Sequence, residues 1–181
     1  MEIISADVYE VFIAQALGVA AAACGMGWAL FRSRVGMLTT QACCGAFFAG
    51  HFLAIGADTA AVMNGLAAAQ AAAAIPLGEK PRFRLAYLAL LPVIAVGVWL
   101  TWAGGPSLAA AAGTALVSLA RYQVDVRRFR LFMALALPCW FVHNLWVFSV
   151  PGMLSDVVGM TINGVMLWRA RRVGAPAESN A

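Results

Sequence analysis

Charge is scarce in this chain of 181 residues. Asp, Glu, Lys and Arg together make up 11%, against roughly a quarter in an average soluble domain. A surface facing water needs those groups, so their shortage excludes an ordinary soluble enzyme. A disordered chain would need still more of them. Long dyad alternation is absent too, which excludes a membrane β-barrel. The N-terminal MEIISADVYE holds Glu2, Asp7 and Glu10 but no Lys or Arg. It therefore lacks the basic start of a secretory signal, and the first apolar run is expected to stay as a span. The four cysteines, Cys24, Cys43, Cys44 and Cys139, lie in apolar runs with no CxxC and no CxxxxH spacing. They are expected to be small packing residues, with no disulfide, metal or cofactor.

What is abundant is apolar. Such residues form 63% of the chain, Gly adds 17 more, and mean hydropathy is +0.84. An all-α, polytopic membrane protein is expected, folded as one membrane domain over 1–173 with a disordered tail at 174–181. Seven segments are apolar over a membrane-spanning length, at about 8–31, 35–55, 58–77, 85–103, 106–123, 129–150 and 152–168. The breaks between them carry Gly, Pro and charge, as in Gly78 to Arg84 and Val150-Pro151-Gly152.

Lys and Arg are retained in the cytoplasm. Arg32 and Arg34 follow span 1, and Lys80, Arg82 and Arg84 follow span 3. Arg121, Arg127, Arg128 and Arg130 follow span 5, and Arg169, Arg171 and Arg172 follow span 7. All 12 basic residues then fall on one side, with the N-terminus outside and the C-terminus inside. Glu2, Asp7, Glu10, Asp58 and Asp156 fall on the other. The excess of base is thus a topology signal, and no nucleic-acid partner is expected.

Seven spans divide as three, one, three. The lone middle span (85–103) returns the chain, so triplets 8–77 and 106–168 share one orientation, a parallel repeat. A shift of 93 residues places Phe47 on Trp140, His51 on Asn144 and Gln70 on Asn163.

Neither Lys, Arg, Asp nor Glu is expected at mid-membrane, where a charge is costly. That favours passive transport of a neutral or zwitterionic solute, or no transport. His51 lies about 7 Å below the outer end of its span at 1.5 Å per residue, and Asn64 lies at similar depth on the next span. Trp140 and Asn144 share a face at i, i+4, as do Asp156 and Asn163 at i, i+7. Thr114, Ser118 and Arg121 form a polar stripe on span 5. Two readings compete for these groups. Polar side chains commonly tie membrane helices together, which suits Thr114, Ser118 and His143. Larger polar groups at matched positions suit a shared cavity, which is the expectation for His51, Asn64, Gln70, Trp140, Asn144 and Asn163, with Asp156 at the entrance. Trp28, Trp99, Trp102, Trp146 and Trp168 sit near span ends, as interfacial anchors do. Pro76, Pro92 and Pro138 predict local kinks.

The segments HFLAIGADTAAVMN (51–64) and RFRLFMALALPCWFVHNLWVFSVPG (128–152) resemble the YgjV-type bacterial inner-membrane proteins. The shared features are His51 before a turn with Gly56, and Trp140 with Asn144 before Gly152. The resemblance covers about residues 11–172. Where that family implies a basic residue late in span 3, this chain has Gln70, so an anion bound there is not carried over. The three-one-three plan is more distantly similar to SWEET, SemiSWEET and PnuC-type transporters.

The expected function is transport or facilitated passage of a small polar solute across the inner membrane, with the lipid bilayer and that solute as partners and a homo-oligomer as an option. The alternative is a structural or assembly protein with no transported solute. A membrane enzyme is not expected, because neither His51 with Cys44 nor Asp156 with His143 has catalytic spacing.

Overall fold

The computed structural model describes residues 2–28, 31, 33–77, 80–123 and 125–173. Among these residues there are seven α-helices and no strand. They are α1 (Glu2–Gly27), α2 (Arg34–Ala54), α3 (Asp58–Leu77), α4 (Arg84–Leu100), α5 (Gly105–Tyr122), α6 (Val126–Trp146) and α7 (Val150–Val173), with a 3-10 turn at Pro81–Phe83 before α4. Each expected segment corresponds to one helix, with ends moved by a few residues. Residues 174–181, expected as a tail, lie outside the described residues. Pro76, Pro92 and Pro138 all lie inside helices that continue past them.

The helices begin and end on local chemistry. Ser33 caps α2, its Oγ accepting the Gly36 N–H at 3.1 Å, and Asp125 caps α6, its Oδ1 accepting the Arg128 N–H at 2.8 Å. Such caps satisfy N–H groups that have no partner within the helix. The α2–α3 turn closes with Ala57 N–H to Phe52 O at 2.8 Å, and the α6–α7 turn with Ser149 N–H to Asn144 O at 2.9 Å. Gly56 takes φ 73° in the first turn and Phe148 takes φ 54° in the second. Glycine meets that left-handed geometry without cost, while Phe does so against its own Cβ.

These features recur 92 residues apart: Ser33 with Asp125, Gly56 with Phe148, Ala57 with Ser149. The same spacing relates His51 to His143, whose Nδ1 atoms donate to Ala14 O at 2.8 Å and Pro106 O at 2.9 Å. The features recur at a spacing of 92, one short of the expected 93, and at that spacing the residue opposite His51 is His143 rather than Asn144. The earlier register compared side-chain types, whereas backbone hydrogen bonds fix position. An error of one residue in a helix turns every pairing by about 100°.

Neighbour contacts close a six-helix ring in the order α1, α2, α3, α5, α6, α7 and back to α1. Helix α4 stands outside that ring and packs on α5 and α3. At one end, Arg84 donates to the Tyr122 carbonyl at 3.1 and 2.5 Å and stacks its guanidinium 4.8 Å from the Tyr122 ring. At the other, Thr59 Oγ1 bonds the Thr101 carbonyl and lies 2.8 Å from Ser107 Oγ. Small residues let the backbones approach, as in the buried set Ala21, Ala60, Ala61 and Ala110 around Phe48, Phe52 and Met63.

Polarity runs inside out. Trp99, Phe12 and Leu100 are 78%, 70% and 69% exposed, while His51, Thr114, Ser118, Asn144 and Asn163 are buried. A soluble domain has the reverse distribution, and a lipid-facing one has this. Among the described residues, Tyr9–Gly27 and Val150–Arg169 are long and apolar enough, by length and composition, to cross a membrane, two where seven spans were expected, and Arg84–Leu100 is apolar but shorter.

Candidate solute cavity

The ring holds a half-open cavity of about 150 Å³ lined from all six of its helices and by no residue of α4. Three aromatic rings form one wall. Phe48 and Phe52 stack with centroids 5.6 Å apart, and Phe52 and Trp140 stack at 6.3 Å and 19°. The Trp140 indole lies against α5 at Gly113, where a Cβ would come within 2.7 Å of its ring atoms. A bare backbone at Gly113 is thus what seats the indole.

Polar groups occur toward both ends. Asn144 on α6 donates Nδ2–H to Asp156 Oδ2 on α7 at 2.7 Å, and both residues are buried. Asn163 donates to Gly159 O and Asn64 to Ala60 O, each at 2.9 Å on its own helix. The Oδ1 atoms of Asn144 and Asn163 are buried with no partner. Their identity as oxygen follows from chemistry: a carboxylate faces one amide nitrogen and a carbonyl the other, and both require a donor. A buried acceptor left unpaired costs about 1–3 kcal/mol.

Arg121, one residue from the end of α5, points inward. Nη1 donates to Ala67 O at 3.1 Å and Gln70 Oε1 at 2.5 Å, and Nη2 to Gln41 Oε1 at 3.1 Å. Arg121 thus stands at the end of α5 with its guanidinium turned inward against α2 and α3. The expectation that charge stays at the helix ends is corrected here. A long side chain carries its charge several ångströms from its Cα, and here it runs into the interior.

Of the residues expected at a cavity, Asn64, Trp140, Asn144 and Asn163 line this one, while His51 and Gln70 do not. His51 is fully buried, with Nδ1 on Ala14 O and Nε2 2.8 Å from Ser149 Oγ. In the neutral ring Nδ1 donates, so Nε2 accepts from the Ser149 hydroxyl. The ring therefore joins α1 and α2 to the start of α7 instead of facing a solute, and it makes no bond to Asn64. Gln70 sits beneath the cavity, bonded to Arg121 and, through Nε2 at 3.3 Å, to Ser118 Oγ. Asp156 is a buried wall residue rather than an entrance group, because the Asn144 bond draws it inward. Trp28, expected as an interfacial anchor, also lines the cavity. His143 is a helix contact, bonded to Pro106 O.

Residues that sequence reasoning did not place in the site include Phe48, Phe52, Arg121, Gln41, Trp28 and Cys44. For Arg121 a signal existed in the Thr114, Ser118, Arg121 stripe, since Thr114 and Arg121 both face the cavity. The site offers binding groups of both signs and a flat aromatic wall.

No curated protein and no solved structure matches the chain. The profile of one family, Imp-YgjV, described as bacterial inner membrane protein, matches residues 12–173. That match spans nearly the whole ring, from α1 to the end of α7, and agrees with an apolar exterior around a polar interior; the chain belongs to the Imp-YgjV family of bacterial inner membrane proteins.

Proposed function

We propose that the protein is a transporter or facilitator for a small neutral or zwitterionic solute, built as two parallel three-helix repeats, α1–α3 and α5–α7, joined by α4. The observation that carries this reading is the composition of the cavity wall. Its lining includes pairs 92 residues apart: Gly25 and Val117, Gly45 and Leu137, Phe48 and Trp140, Phe52 and Asn144, Asn64 and Asp156, Ala67 and Gly159. Each triplet thus contributes matching positions to one shared space. Alternating access by rocking of one repeat against the other needs a site at their interface. The seams are α1 with α7 and α3 with α5, and the His51–Ser149 bond crosses the first of them.

In this reading Trp140 stacks on the solute, while Asn64, Asn144, Asn163 and Asp156 replace its water. The test is uptake and counterflow in proteoliposomes across a panel of amino acids, sugars and nucleosides. Wild-type protein is expected to move a subset of them, and Asn144→Ala and Trp140→Ala are each expected to reduce that flux at least tenfold. Flux equal to wild type in both variants rejects the site. Absence of flux for the whole panel, together with a stable heteromeric complex on crosslinking, favours the assembly role.

A further inference from the structure

Two features of the cavity wall stay uncompensated by the protein. The first is the Arg121 charge. Its bonds go to neutral oxygens on Gln41, Ala67 and Gln70. Asp156, the one carboxylate among the described lining residues, takes its bond from Asn144. Opposite charges on one wall are therefore held apart, each on amide groups. The second is the pair of orphan acceptors, Asn144 Oδ1 and Asn163 Oδ1, on residues 3% and 2% exposed. A buried cation lacking an anion calls for one, and acceptors without donors call for N–H groups.

We propose that Arg121 receives the anionic group of the solute while Asn163 accepts a hydrogen bond from its amino group, so that the substrate class is a small zwitterion with an apolar or aromatic middle. This deepens the transport reading and rests on it for the word substrate. As a binding site it stands independently. The aromatic wall of Phe48, Phe52 and Trp140 supplies the surface for the middle of the molecule. A guanidinium takes a carboxylate in a two-pronged geometry that a carboxamide does not reproduce. The wall therefore discriminates between an acid and its amide, and the Asn163 amide oxygen discriminates between an amino compound and its deaminated analogue.

The experiment is isothermal titration of the purified full chain in detergent with two matched series. One is L-phenylalanine, L-phenylalaninamide and 3-phenylpropionate. The other is 4-(aminomethyl)benzoate, 4-(aminomethyl)benzamide and 4-methylbenzoate. In at least one series the amino acid is expected to bind at least tenfold tighter than both of its analogues. Arg121→Gln is expected to erase the preference over the amide, and Arg121→Lys to retain part of it. Asn163→Leu is expected to erase the preference over the deaminated acid. Equal or absent binding in both series overturns the proposal, as does a preference that survives in Arg121→Gln. Should Arg121→Gln fail to fold, the wild-type ranking and Asn163→Leu decide. Binding preference without counterflow in proteoliposomes defeats the transport reading and keeps the site. Counterflow of a neutral solute that Arg121→Gln leaves intact defeats the site and keeps transport.

Discussion

His51 and His143 occupy matching positions with unequal surroundings. Each ring donates Nδ1–H to a carbonyl on the first helix of its own triplet. His51 Nε2 then accepts from Ser149, whose Oγ also accepts the Gly152 N–H at 3.3 Å. His143 Nε2 is buried without a partner. The residue matching Ser149 at the 92-residue spacing is Ala57, which has no hydroxyl to give. Ala57→Ser is therefore expected to stabilise the protein. One side-chain bond between membrane helices is worth about 0.6 kcal/mol, a rise of roughly 2 °C in Tm for a protein of this size. Because Ser also caps a helix, the decisive measurement is a double-mutant cycle. The part of the gain due to the imidazole disappears in a His143→Phe background, and a gain unchanged there refutes the pairing.

At the level of elements, the approach of α5 to α6 at Gly113 sets the shape of the aromatic wall. A Cβ there would lie within 2.7 Å of the Trp140 ring, so the indole must move. Gly113→Ala is expected to lower stability by about 1–3 kcal/mol, as overpacking does, and to weaken solute binding in parallel with Trp140→Ala. Thermal melting and titration on the same sample measure both. Loss of stability with binding intact would mean that α5 shifts and the indole does not. The turns tell a similar story of unequal halves. Phe148, 83% exposed, holds the left-handed position that Gly56 holds in the other turn. Phe148→Gly is expected to raise Tm modestly, since the αL strain of roughly 1–2 kcal/mol exceeds the entropic cost of glycine, about 0.5–1 kcal/mol. An unchanged or lower Tm rejects strain at that turn.

For the whole molecule, short connections between successive helices make neighbours run antiparallel. Lys80, Arg84, Arg121, Arg127 and Arg128 then gather at one end of the ring, and the turns at 55–57, 101–104 and 147–149 at the other. Retention of basic residues in the cytoplasm predicts that the arginine end faces inward. In a cysteine-free background, a membrane-impermeant maleimide added to intact cells is expected to label Phe148→Cys and not Arg127→Cys. Both positions are exposed, so permeabilised cells should label both. The opposite pattern in intact cells overturns the orientation.

The number and type of helices were legible in the residues, because apolar runs of membrane-spanning length broken by Gly, Pro and Arg admit few other solutions. The candidacy of Asn64, Trp140, Asn144 and Asn163 was legible too, since large polar groups within such runs must face protein. Three matters depended on how the helices pack. His51 left the cavity because a carbonyl on α1 and a hydroxyl at the start of α7 meet its two nitrogens, partners 37 and 98 residues away along the chain. The spacing at which caps and turns recur is 92 and not the expected 93, because backbone bonds, unlike side-chain types, mark position. Arg121 entered the wall because its guanidinium reaches carbonyl and amide oxygens on neighbouring helices, and the direction of a long flexible side chain is set by partners that its own helix does not contain.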